Sequence, residues 1–331
     1  MRARWRWWAS VLVAIVVVGA GGSLWFWLQA DPLASPGPVV TVVVHPGDSL
    51  SAIGSELHAQ GVIASPLAFR IDAVVFGAPV VVPGSYQFHQ RSSFSDVMGT
   101  LGAPRVIVTG GETLGEVTHS VSAVQGRAYA AAFAKAVASA LARHPWGATR
   151  SLEGLIGPGT YPIVSGESAA TLLADMRESF AAEAAAVGLS ATSSVAGLDA
   201  YQIVTAASIV QKEGYYARNM PRVARVILNR LALGGPLQMD ATVLYGLGRD
   251  GGTVTHAMLQ TRTPYNTYLV PGLTPTPIST VSRTALRAVL HAPPGPWRYF
   301  TVINAAGTEA FAVTFAEQLA NERLAAARGL P

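Results

Sequence analysis

Ala207-Ser208-Ile209-Val210-Gln211-Lys212-Glu213 delivers a single carboxylate at the end of an apolar helical run. Ile203, Ala206, Val210 and Glu213 recur at i, i+3, i+7 and i+10, the spacing of one helix face. A glutamate on the buried side of a helix ionises at a cost unless it is paired. Its pKa is therefore expected to rise, which suits a general acid near neutral pH. The plainer alternative is a helix-end glutamate satisfied by an arginine or a backbone group.

The chain has 331 residues, enough for two domains, and only 13% of them are charged. Much of the apolar content lies in Trp8 to Leu28, an uncharged run that is about 31 Å long as a helix and so matches a bilayer core. Arg2, Arg4 and Arg6 precede it and Asp31 is the first charge after it, with Trp5, Trp7, Trp8, Trp25 and Trp27 near its two ends. The expectation is a cytoplasmic tail over residues 1–7, a single transmembrane helix over 8–28, and the remainder outside the cytoplasm. A cleaved signal peptide fits less well, because bulky Trp25-Phe26-Trp27 stands where small residues should begin. The net charge of +4 is mostly those three arginines, so no basic patch points to nucleic acid. Cysteine is absent, and the seven histidines show no metal-ligand spacing, so neither metal nor cofactor is expected.

Proline-rich residues 29–39 read as an extended linker. Val39 to Val44 is a strand candidate, His45-Pro46-Gly47-Asp48 a turn, and Asp48 or Ser49 a cap for a helix through Leu57. A second strand is expected at Pro79 to Pro83. Residues 40–102 thus form a small α+β module, similar to a sugar-binding LysM domain in its order and its PGDSL turn, or else a spacer. Beyond it the pattern is α-rich with small sheets: a strand at 105–109, helices at about 112–122, 129–143, 168–187, 199–213, 219–233, 283–290 and 315–328, and paired strands at 297–303 and 309–313. Gly154 to Tyr161 reads as a loop. The order does not alternate βαβ and carries no glycine-rich phosphate loop.

Two polar-aromatic clusters stand out downstream of Glu213, Leu237-Gln238-Met239-Asp240-Ala241-Thr242-Val243-Leu244-Tyr245-Gly246-Leu247-Gly248 and Thr263-Pro264-Tyr265-Asn266-Thr267-Tyr268. Aromatic rings stack on pyranoses, and amides bond hydroxyl and N-acetyl groups. Either cluster alone reads as a turn or loop. With Glu213 they suggest a glycosidic cleft.

Leu152-Glu153-Gly154, Pro158 to Tyr161, Ala207 to Glu213, Leu237 to Gly248, Thr263 to Tyr268 and Gly272 to Ile278 together resemble the MltG (YceG-like) family, over about residues 105–320. That resemblance implies residues 103–331 are an α-rich, lysozyme-like transglycosylase domain. It implies endolytic, non-hydrolytic cleavage of the β-1,4 bond between N-acetylmuramic acid and N-acetylglucosamine, leaving 1,6-anhydro ends and trimming or terminating nascent strands. The catalytic residue would be Glu213, with Gln238, Asp240, Tyr265, Asn266 and Glu153 in the substrate cleft. Glycan strands of peptidoglycan and the inner membrane would be its partners, with peptidoglycan synthases beside them.

A conventional glycosidase sets a second carboxylate opposite the first; here the substrate's acetamido group can support the charged centre, so one Glu serves both proton transfers. Asp240 is expected to orient rather than attack. Departures from the family pattern occur at Gln211, Gly159, Thr274, Thr276, Glu309 and Gln318. They keep open a silent glycan-binding scaffold, and a water-using muramidase would need Asp240 opposite Glu213.

Overall fold

The computed structural model describes residues 2–141, 151–164, 166–214 and 216–330, with backbone alone for 2–15 and Ser85. The chain forms two compact units, Met1–Arg105 with Pro162–Gly166, and Val106–Tyr161 with Glu167–Pro331. Three two-stranded sheets and twelve helices make a mixed α+β protein among the described residues.

The first unit opens with α1 (Arg2–Ala30). Among the described residues no helix is long and apolar enough to cross a membrane. The side chains of Arg2, Arg4, Arg6, Trp5, Trp7 and Trp8, on which the span and its orientation were expected to rest, lie outside the described residues. After the linker come β1 (Val39–Val44), α2 (Leu50–Ala59), α3 (Pro66–Phe76), β2 (Gly84–His89) and α4 (Phe94–Gly102). β1 and β2 pair antiparallel, Val39 opposite His89 and Val44 opposite Gly84. Ser49 caps α2 by accepting from Ala52 N at 3.2 Å, while Asp48 closes the turn by accepting from His45 N at 2.7 Å. Val42, Leu57, Phe69, Tyr86, Phe94 and Leu101 form the core between sheet and helices.

The second strand is a correction: it lies at Gly84–His89, not Pro79 to Pro83. Pro79 and Pro83 have no N–H to give a ladder, whereas Tyr86 and Phe88 alternate inward. Helices α3 and α4 were not expected from the sequence; Ser65 and Ser93 cap them by accepting from Ala68 N and Asp96 N.

The second unit contains β3 (Arg105–Val108, whose first residue belongs to the first unit), α5 (Leu114–Leu141), β4 (Gly159–Pro162, whose last residue belongs to the first unit), α6 (Ala169–Ala185), α7 (Ala200–Glu213), α8 (Met220–Ala232), α9 (Asp240–Gly246), α10 (His256–Leu259), α11 (Arg283–Leu290), β5 (Tyr299–Val302), β6 (Glu309–Ala312) and α12 (Phe315–Ala327). The two helices expected at 112–122 and 129–143 run together as α5, broken by Gly126 at φ 82°. β3 and β4 pair, so part of the expected loop before Tyr161 is a strand. Within Leu237 to Gly248, Asp240–Gly246 forms helix α9, and only its Gly246-Leu247-Gly248 end was read as a loop. β5 and β6 pair antiparallel, Tyr299 opposite Ala312, and α12 packs on them.

Helix α7 is the centre of this unit, packed by α8 and α11. Ile203 to Val210 are buried without interruption, so the helix is enclosed on every side rather than along one stripe. Its two internal hydroxyls are satisfied. Thr205 Oγ1 donates to Tyr201 O, and Ser208 Oγ donates to Thr205 O and accepts from Ile278 N at 2.9 Å. Ser208 thereby pins the Gly272 to Ile278 segment onto α7. Ser208→Ala leaves the buried Ile278 N–H unpaired, and a loss of about 1–2 kcal/mol is expected in chemical denaturation; an unchanged midpoint would refute this role.

Candidate active site

α7 ends at Glu213 because Gly214 follows, packed so closely that a Cβ there would lie 2.8 Å from Met220 Cγ and 2.9 Å from Val210 O. The Glu213 carboxylate is half-buried in a cleft of 570 Å³ lined by Thr109 to Thr113, Gln211 to Glu213, Asp240, Ala241, Tyr245 and Arg249 to Gly251, among others. Among the described residues it accepts one hydrogen bond, from Ala241 N at 3.1 Å. Burial, then the negative charges of Asp240 and Glu309, push its pKa up to about 7, while the Ala241 N–H and Arg230 pull the other way. At neutral pH the carboxyl therefore exists in both forms, the condition for giving and then retaking a proton.

The N-terminal turn of α9 is held in place by the 263–268 segment. Gln238 N donates to Thr267 O and Met239 N to Thr267 Oγ1, each at 3.0 Å, and Thr242 Oγ1 lies 2.8 Å from Thr267 Oγ1. Tyr268 OH donates to Asp240 Oδ1 at 2.6 Å. Thus Asp240 lines the cleft with its carboxylate already oriented by a tyrosine. Gln238 is exposed, with φ 53°, and lines neither of the two cavities described here.

Asn266 sits elsewhere than the sequence suggested. It is completely buried, its Nδ2 donating to Leu259 O at 3.0 Å and Thr261 O at 2.8 Å, its Oδ1 accepting from Tyr268 N at 3.0 Å. Such an amide holds the segment and presents nothing to a substrate.

A second cavity of 870 Å³ adjoins the first, sharing Glu112, Thr113, Tyr245, Arg249 and Asp250. Tyr265 lines it, with its ring edge-on to Tyr245 at 5.0 Å and its OH 2.9 Å from Thr276 Oγ1. Glu153 forms part of its wall, 4% exposed, accepting from Leu114 N at 2.7 Å and from Tyr245 OH at 3.0 Å. Burial raises Glu153 to about 7 against both hydrogen bonds. Gly154 beside it needs to be glycine: φ is 74°, and a Cβ would lie 2.7 Å from Pro277. So Leu152-Glu153-Gly154 fits the 274–278 segment to α7 while Glu153 ties α5 to α9.

The departures have local explanations. Gln211 Oε1 accepts from Ser282 N at 3.1 Å, and Lys212 bridges Gly111 O and the Asp250 carboxylate. Thr274 Oγ1 donates to Thr276 O at 2.7 Å, and Thr276 Oγ1 donates to Pro277 O at 2.8 Å. Gln318 donates to Thr301 Oγ1 at 2.6 Å and holds α12 to β5.

Glu309 is the acid that sequence reasoning undervalued. It is 7% exposed on β6, and neither carboxylate oxygen makes a hydrogen bond among the described residues. Burial lifts it to about 7, opposed by Asn219 and Arg218, yet the Asn219 amide itself is committed to Gly307 O at 3.0 Å. A carboxyl whose folded pKa lies above its unfolded value stabilises the fold at low pH and loses that contribution as pH rises from about 4.5 to about 7. Glu309→Gln does not titrate, so its stability relative to the parent is expected to improve between pH 5 and pH 8 by on the order of 2 kcal/mol. Paired melting curves at those two pH values test this; a pH-independent difference would defeat it.

The family description for YceG-like proteins matches residues 42–324. An endolytic murein transglycosylase of Streptococcus pneumoniae strain D39 is 25% identical over 88% of this chain and 60% of its own length. One of Bacillus subtilis strain 168 is 26% identical over 79% of this chain and 78% of its own. The chain thus spans only about three fifths of the pneumococcal relative. A crystal structure of a yceG-like protein from Listeria monocytogenes superimposes with a TM-score of 0.56 at 24% identity, covering 86% of this chain and 99% of that one, which is a likeness of fold. By the extent of the family match, this chain belongs to the YceG-like family.

Proposed function

We propose that this chain is an endolytic lytic transglycosylase of peptidoglycan, with Glu213 as its only acid–base group. The observation that carries the reading is the Glu213 carboxyl, held by one backbone N–H at the edge of a cleft and raised to about 7. The relatives named as endolytic murein transglycosylases give the substrate class.

Protonated Glu213 gives its proton to the glycosidic oxygen as the bond from the muramic anomeric carbon to that oxygen breaks. The N-acetylglucosamine side leaves as an alcohol, and the substrate's acetamido group supports the electron-poor carbon. Glu213, now a carboxylate, takes the proton of the muramic 6-hydroxyl while that oxygen bonds to the anomeric carbon. The product is a 1,6-anhydro end, no water is consumed, and Glu213 is protonated again. Asp240, anchored by Tyr268, orients the substrate and raises Glu213 by its charge. Tyr245, Tyr265 and the buried Glu153 wall the adjoining cavity, where further sugars of a long strand would lie.

In this reading Trp8 to Leu28 anchors the chain once in the inner membrane with the N-terminus cytoplasmic, residues 40–102 act as a LysM-like glycan-holding module, and strand synthases are the partners. Supporting it are the apolar run, the three arginines before it and the β–α–α–β order of the module. Digestion of purified peptidoglycan with mass spectrometry of the new ends is the test. Anhydro-muramic ends are expected. Reducing ends would make water the acceptor, with Asp240 the next residue to examine, and uncut glycan that still binds would indicate a scaffold.

A further inference from the structure

Helix α3 has two apolar faces, and the fold covers one. Ala68, Phe69 and Ala73 face the core of the first unit, whereas Leu67, Ile71, Val74 and Val75, at i, i+4, i+7 and i+8, form an opposite stripe turned to solvent. Phe76, the last residue of α3, and Val80, four residues beyond it, add further exposed apolar surface at that end. Val74 is 84%, Phe76 75% and Val80 86% exposed. Its borders carry one cation, Arg70, and one half-buried anion, Asp72, so charge neither draws nor repels a partner. A contiguous apolar stripe of this kind is uncommon on a surface that meets only water.

The neighbour of this stripe indicates its occupant. α1 packs on α3 within the same unit, and Phe26 of α1 touches Phe94, which touches Phe69 of α3, with ring centroids 6.4 and 5.6 Å apart, both edge-on. Trp25, Trp27 and Leu28, at the end of α1, are themselves exposed, and Leu33 just beyond them is 91% exposed. Bulky indoles at the end of an apolar helix favour the level of lipid headgroups. Helix α3 is thus fastened, through its core-facing Phe69, to the segment that would leave the bilayer, with its apolar stripe left open on the opposite face.

We propose that the exposed face of α3, continued through Phe76 and Val80, is a membrane-docking surface that lies in the headgroup region beside the end of α1, as an interfacial amphipathic helix does. The proposal rests on the anchor reading above. It adds a second attachment, which makes the first unit a plate seated on the lipid rather than a domain swinging on a linker. The occupant is lipid, not a second protein.

The chain has no cysteine, so single-cysteine labelling is clean. Full-length Val75→Cys, Phe76→Cys and Val80→Cys, with Ser55→Cys on the exposed face of α2 as reference, would carry an environment-sensitive fluorophore. Each is reconstituted into phosphatidylethanolamine–phosphatidylglycerol vesicles containing headgroup-region nitroxide lipid. Quenching severalfold stronger at 75, 76 and 80 than at 55 is the expected result. Quenching at those three positions no greater than at 55 overturns the docking. Flotation of the same vesicles after an alkaline wash reads the anchor separately. A chain that floats with its α3 labels in water refutes the docking alone, and one that does not float refutes the anchor and the docking with it.

Discussion

Glu213→Gln is expected to abolish the formation of anhydro-muramic ends, lowering the rate of glycan cleavage by about 10²–10⁴, the usual contribution of a positioned general acid–base. The amide keeps the size of the side chain and can keep Ala241 N as a donor to its oxygen. What disappears is the proton and the site that would retake it. Both halves of the proposed reaction use the same carboxyl, and the two other acids placed in the cleft are engaged: Asp240 is bonded to Tyr268, and Glu153 accepts from Tyr245. Folding should not suffer. The half-buried carboxyl has its pKa raised to about 7 mainly by loss of hydration, so its ionised form costs the fold free energy at neutral pH, and a neutral amide relieves that cost. The variant should therefore melt no lower than the parent at pH 8 while cutting no glycan. Residual cleavage within about tenfold of the parent would contradict the role of Glu213, because loss of a general acid–base costs more.

Glu213 was legible because its surroundings are local. The run from Ile203 to Val210 is apolar enough to require burial, and a carboxylate one turn on is conspicuous against it. Even there the sequence suggested a stripe and the protein encloses the helix completely, since neighbours on other faces are supplied by α8, α11 and the 274–282 segment, which no local period reveals. Helices with a strong 3.6-residue rhythm, α8 and α11 among them, were legible for the same local reason. β2 was misplaced because Pro79 to Pro83 is rich in valine, and valine enrichment says nothing about whether an N–H can join a ladder. α3 escaped notice because its two apolar faces blur any single period.

The site shows the same division. Asp240 could be read from its motif, and its neighbour Ala241 turned out to hold Glu213 through a backbone N–H, a contact no side-chain pattern encodes. Glu309 and Arg230 reach Glu213 electrostatically from distant elements, so only the folded chain brings them together. Ser208, like Thr205, carried a readable signal, a hydroxyl in an otherwise apolar helix interior, which asks for a specific partner. Asn266 carried a misleading one. An amide between two tyrosines reads as a sugar contact, but the same residue type is equally suited to tying a turn, and burial decides between them.

Asn266→Ala is accordingly expected to destabilise the second unit by about 3 kcal/mol, roughly a hundredfold in its folding equilibrium, with catalysis falling as a consequence. The substitution removes the partners of Leu259 O, Thr261 O and Tyr268 N at once, in a place where no part of the side chain reaches water. Its effect should travel along a defined route. The 263–268 segment supplies Thr267 to Gln238 N and Met239 N, and Tyr268 to Asp240; these fix the start of α9, and α9 supplies Ala241 N to Glu213. A loosened segment therefore releases the Ala241 N–H that holds the acid. Asn266→Asp separates the two functions of the amide, since it keeps the acceptor for Tyr268 N and loses both donors. At neutral pH it should be at least as destabilising as the alanine, because a carboxylate would then face two carbonyl oxygens in a buried site. Denaturant titration of the three proteins at one pH checks the ranking. A cost below about 1 kcal/mol for the alanine variant would mean that the segment is held by something other than this amide. A mere substrate contact, by contrast, would raise KM and leave the unfolding midpoint where it was.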